Sequence, residues 1–110
     1  MIKNNTKNKI IAYRSLLANT FWRRLKGLLG TKALPLGVGL IIKPCNSVHT
    51  IGMKYSIDVL FVDCNHYIIK KMENMKPGQV SMALGSCYVI ELPVGTIRQT
   101  ECSVGDRIEL

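Results

Sequence analysis

The clearest pattern in the chain is the run Ile57-Asp-Val-Leu-Phe-Val62, apolar on both faces except for one acid. Strand alternation places Asp58 with Leu60 and Val62, and Ile57, Val59 and Phe61 opposite. Turn residues 63–66 follow and 67–72 returns, which predicts a hairpin over 57–72. Residues 9–17 predict one strand or a short strand pair, and 38–42 a short apolar strand. Residues 48–53 predict an extension or a loop with a bulge near Gly52. After a turn at 76–79, residues 87–92 predict a strand that stops at Pro93, 94–102 a helical turn, and 107–110 a last strand. Helical spacing occurs once: Phe21, Trp22, Leu25, Leu28 and Leu29 share a face, with Thr20 to cap and Gly30 to end it. The expected fold is mainly β (α+β), a compact β-barrel or sandwich with one short N-terminal helix. Residues 1–9, rich in Asn and Lys, predict a flexible basic tail, and 10–110 a single β-rich domain.

Composition adds that the chain is foldable. It has 110 residues, 47% hydrophobic and 20% charged, enough to bury a core without a metal or disulfide. No apolar run reaches the roughly 18 residues of a membrane span. The N-terminus lacks a signal-peptide core, so the expected location is cytoplasmic. The net charge is +8, and residues 1–57 contain no acid. That asymmetry favours acidic partners: nucleic acid, an anionic surface or an acidic protein. Alternatively, folding intermixes the two signs on the surface.

Cysteines at 45, 64, 87 and 102 form no Cys-x-x-Cys pair, and the reading is four reduced, mostly buried thiols. Cys45 with His49, and Cys64 with His66, are the nearest approaches to metal-ligand spacing. No metal and no cofactor is expected.

Asp58 begins a strand with two apolar faces, so its carboxylate needs a partner. Arg24, Lys54, His49, Thr50 and nearby backbone amides are the candidates. One reading makes Asp58 a structural cap of the 50–56 loop. The other makes it a ligand-binding or catalytic acid, with His49 as an imidazole it orients. Cys45 and Ser47 are the nearest nucleophile types, a weak set. His66 falls in the hairpin turn and is expected to be solvated. Turn chemistry accounts for Asp63. Glu91 alternates with Val89 and reads as a strand-end carboxylate. Trp22 beside Arg23, Arg24 and Lys26 is the best basic–aromatic cluster, but Trp22 belongs to the apolar stripe.

These residues together resemble the bacterial and archaeal domain-of-unknown-function 192 family. The resemblance runs from Thr20…Arg24-Leu-Lys26-Gly27-Leu28-Leu29 through Gly39-Leu40 to Cys45-Asn-Ser-Val48-His49-Thr50-Ile-Gly-Met53-Lys54. It continues through Ile57-Asp58-Val59-Leu60-Phe61-Val62-Asp63 and Val89-Ile-Glu91-Leu92-Pro93-x-Gly95 to Gly105-Asp106. It covers roughly residues 12–110 and implies a compact, mostly β domain with a short helix and no known activity. Arg24, Met53, Lys54, Asp58, Asp63, Glu91, Gly105 and Asp106 sit on its motif positions. The chain departs from the family at Gly52, where Trp is common, and Tyr55, where Asn is common; His49 marks a Val-His-Thr branch. Many family members are exported, and no signal peptide is visible here.

The leading expectation is a binding or accessory module whose pocket for a small ligand or a protein partner is formed by His49, Thr50, Met53, Lys54 and Asp58, with Arg24, Asp63 and Glu91 nearby. The alternatives are a small hydrolase using His49 and Asp58, and binding of nucleic acid or anionic surfaces through the basic half.

Overall fold

The structure is a computed structural model describing residues 1–18 and 34–110. The expected helix at 21–30 and its Thr20 cap lie outside the described residues, as does Arg24. The central sheet has five strands in the order β3-β4-β9-β6-β7. These are β3 (Arg14–Leu17), β4 (Val38–Ile42), β6 (Ile57–Val62), β7 (Ile68–Met75) and β9 (Tyr88–Pro93). β3 runs parallel to β4, and the other pairs are antiparallel. β6 and β9 are buried along their whole length, as expected of inner strands whose residues are apolar on both faces apart from one acid each, Asp58 and Glu91. The sheet does not close into a barrel; the architecture is a layered, sandwich-like α+β fold.

Alternation sorts the core into two clusters. Leu60, Val62, Tyr88, Ile90 and Leu92 pack on the first face of the sheet. There they meet a three-stranded sheet of β1 (Ile2–Asn4), β2 (Lys9–Ala12) and β10 (Ile108–Glu109), and the short helix α1 (Thr96–Thr100). Ile57, Val59, Phe61, Met75 and Val89 pack on the second face, beneath a ribbon of β5 (Ser47–His49) and β8 (Val80–Met82). Gly39 explains how closely the first layer docks. A methyl at this position would lie 2.6 Å from Ile2 Cδ1, 3.2 Å from Ala12 Cβ and 3.3 Å from Leu92 Cδ2.

Two expectations need correction. Residues 1–9 are not a frayed tail. Ile2 is fully buried, β1 pairs with both β2 and β10, and buried Asn4 donates to Asp106 Oδ2 at 2.8 Å. Tail-like composition is overridden here by one apolar anchor and a buried side-chain hydrogen bond. Nor are all four cysteines reduced: Cys64 and Cys87 form a disulfide with Cα atoms 5.2 Å apart, leaving Cys45 and Cys102 free. β8 was not expected from the sequence at all.

Candidate functional site

Asp58 points toward the first face, as alternation predicts. Its Oδ1 accepts from Asn74 N at 2.9 Å, and its Oδ2 from Gly95 N at 3.0 Å and Ile97 N at 2.9 Å. α1 is too short to stand alone and has no capping side chain of its own; its N-cap is Gly95, in the left-handed region. The buried carboxylate takes that role from across the fold, holding the first turn against the sheet. Asp58 is thus a structural cap, of α1 and β7 rather than of the 50–56 loop. None of these partners is an imidazole, hydroxyl or ammonium group.

The rest of the expected pocket belongs to the ribbon and the second face. Thr50 is buried at the ribbon's end. Its hydroxyl donates to Lys76 O at 2.5 Å and accepts from Gln79 N at 2.9 Å, and its carbonyl accepts from Met53 N and Gly78 N. Met53 is half-buried against the second-face core, and Lys54 is exposed. His49 lies on the ribbon's exposed face opposite Val80. The sheet therefore separates Asp58 from Met53, and the geometry required for a His49–Asp58 pair is not formed. Asp63 shapes its turn, accepting from Asn65 N and Tyr67 N, both at 2.9 Å.

Glu91 is buried opposite Val59, on the other side of the sheet from Asp58. Its charge is felt by half-buried Tyr55, whose hydroxyl is pushed above its ordinary pKa by burial and by Glu91. His66 is half-buried rather than fully solvated, sharing a 2.8 Å hydrogen bond with Tyr88 Oη. Burial, reinforced by Asp63 and partly offset by Arg107, pushes the Tyr88 phenol up to about 12. Cys45 Sγ donates to Ser47 O at 3.1 Å, and Cys64 is committed to its disulfide, which removes it from any metal pair with His66. Among the described residues, no group of three or more His, Cys, Asp or Glu side chains gathers around a metal-sized space.

Sequence reasoning missed an exposed apolar surface. On the ribbon's outer face Val80 is 66% and Met82 58% exposed, flanked by Ile51 at 62% and Leu84 at 87%. The intervening pair, Val48 opposite Ser81, points inward and is buried. The alternating Val80-Ser-Met82-Ala-Leu84 was the available signal. Residues 34–57 and 76–90, which hold both strands of the ribbon, contain no acid, whereas Lys43, Lys54 and Lys76 are exposed there. Lys70 reaches over from β7 to donate to Met82 O at 2.9 Å. Elsewhere the signs do intermix: Lys7 pairs with Asp106 at 2.9 Å, and Lys9 with Glu101.

A family profile described as DUF192, an uncharacterized ACR, matches residues 2–110. A UPF0127 protein of Thermococcus sibiricus is 31% identical over 114 residues, covering 99% of this chain and 73% of that protein. A UPF0127 protein of Pyrococcus furiosus is 31% identical over 112 residues, covering 96% and 94%. A crystal structure of a Novosphingobium aromaticivorans protein of unknown function superposes with a TM-score of 0.72 at 23% identity, covering 87% of this chain and 74% of that one, a likeness of fold. Among the described residues, no helix is long and apolar enough to cross a membrane.

Proposed function

The chain belongs to the DUF192 family, and from that premise we propose that it is a non-enzymatic binding module that docks an acidic, partly apolar segment of a protein partner on the outer face of the β5–β8 ribbon. One observation carries the reading: Val80, Met82, Ile51 and Leu84 are each more than half exposed, in segments 34–57 and 76–90 that carry exposed lysines and no acid. Apolar side chains supply burial, and the surrounding ammonium groups select the sign of the occupant. His49 and Lys54 remain in this site as exposed polar neighbours. Thr50 and Met53 support it from below, and Asp58 has no part in it.

The test uses two short synthetic peptides, one alternating Glu with Val and the other Lys with Val, with binding followed by fluorescence anisotropy. The Glu peptide is expected to bind and the Lys peptide not. Val80→Asp and Met82→Asp should each weaken binding by about tenfold or more, while the unfolding free energy stays within about 0.5 kcal/mol of the parent. Equal binding of both peptides, or of neither, would refute the reading.

A further inference from the structure

Three parts of the fold meet at one corner of the sheet. Cys64 follows β6 and is exposed; Cys87 precedes β9 and is half-buried against the first-face core. The pairing of Val62 with Tyr88, and a 2.8 Å bond from Cys87 N to Val62 O, bring the two cysteines alongside. The root of the ribbon joins them. Cys45 N donates to Cys87 O at 3.1 Å, and Ser86 Oγ bonds the carbonyls of Cys45 and Tyr88 at 2.9 and 3.0 Å. The disulfide cross-links the β6–β7 turn to the start of β9, and one of its cysteines is open to solvent.

We propose that Cys64–Cys87 is a thiol-exchange site, attacked at Cys64 by a low-molecular-weight thiol or a dithiol protein, whose opening unties the β6–β7 turn from the root of the ribbon. The incoming thiolate attacks Cys64 Sγ. A bond forms between those two sulfurs as the Cys64–Cys87 bond breaks, and Cys87 leaves with the electron pair and takes a proton from water. A second thiolate attacks the incoming sulfur, forming an external disulfide and releasing Cys64, which is then protonated. In sum, two external thiols are oxidised and one protein disulfide is reduced. Accessibility sets the direction, because exposed Cys64 is the reachable sulfur and half-buried Cys87 the leaving one. The backbone bond from Cys87 to Val62 keeps the pair within reach for closure.

The oxidised full-length chain is treated with reduced glutathione, quenched in acid and digested, and the mixed disulfide is located by mass spectrometry. The adduct should lie on Cys64 in about tenfold excess over Cys87, with the titratable thiols rising beyond those of Cys45 and Cys102. An adduct mainly on Cys87 overturns the proposal. So does an unchanged thiol count at a glutathione ratio that fully reduces the urea-unfolded chain. Two variants give a second reading: Cys45→Ser with Cys87→Ser leaves the Cys64 thiol, and Cys45→Ser with Cys64→Ser leaves that of Cys87. With folding checked by circular dichroism, the Cys64 thiol should react with an aromatic disulfide about tenfold faster than that of Cys87. Equal rates contradict the proposal, and if either variant fails to fold, the adduct position in the parent chain decides.

Discussion

The two inner strands of the central sheet each bury one carboxylate, on opposite faces and a single pairing position apart, and the fold treats the two differently. On the first face Asp58 is held by three backbone amides that belong to β7 and to the start of α1. On the second, Glu91 lies opposite Val59 among apolar neighbours, and its charge shifts the Tyr55 hydroxyl. The first face is closed by a second sheet and a helix, and the chain's two ends are knitted there through Asn4, Lys7 and Asp106. The second is covered by a two-stranded ribbon whose outer side remains apolar and exposed. A buried acid therefore does not by itself mark a functional centre. What distinguishes the faces is whether apolar surface is left over outside the covering layer.

Asp58→Ala should separate the faces most strongly. It strands the amides of Asn74, Gly95 and Ile97, so stability in urea unfolding should fall by about 3 kcal/mol or more. The folded fraction should still bind the Glu–Val peptide with unchanged affinity. A loss below about 1 kcal/mol would show that the cap is not what holds α1.

Asp106 should give a smaller effect with a pH signature. Burial raises its carboxyl pKa, but hydrogen bonds from Asn4, Lys7 and the Ser103 amide, with the Lys7 charge, outweigh burial and hold it below the ordinary value. A lowered folded pKa means stabilisation that is present above the unfolded value of about 3.9 and lost as pH falls through the folded value. Asp106→Asn should cost about 1–2 kcal/mol at pH 7. Thermal melts at pH 7 and below pH 4 should then show the variant losing less on acidification than the parent. Equal losses would contradict the linkage.

The smallest effect belongs to the second face. Glu91→Gln removes the charge that helps raise the Tyr55 hydroxyl, so phenol titration followed by ultraviolet absorbance should show Tyr55 ionising at lower pH. An unmoved Tyr55 would leave burial as the only cause.

Much of this was legible in the residues. The alternation in β6 and β9 set the face of Asp58 and of Glu91, and the turn residues marked the hairpin between β6 and β7. Alternation is a property of the extended backbone and needs no tertiary knowledge. It did not give the covering of each face, because the amides that satisfy Asp58 come from residues 74, 95 and 97, and the Thr50 partners from 76 and 79. The apolar side of Val80-Ser-Met82 could be read as a stripe, but which way it faces is decided by where Val48 and Ser81 pack.

The amino-acid order alone determined the strands of the central sheet, the face of each side chain on them, and membership in a recognisable family, since these follow from local periodicity and motif. Only the tertiary structure decided that the N-terminal residues form a layer packed on the central sheet, that Cys64 meets Cys87, and that His49 and Asp58 lie on opposite sides of the sheet. Each of these depends on pairings between distant segments, and such pairings are selected by the burial and hydrogen bonding of the whole chain rather than by any one stretch of it.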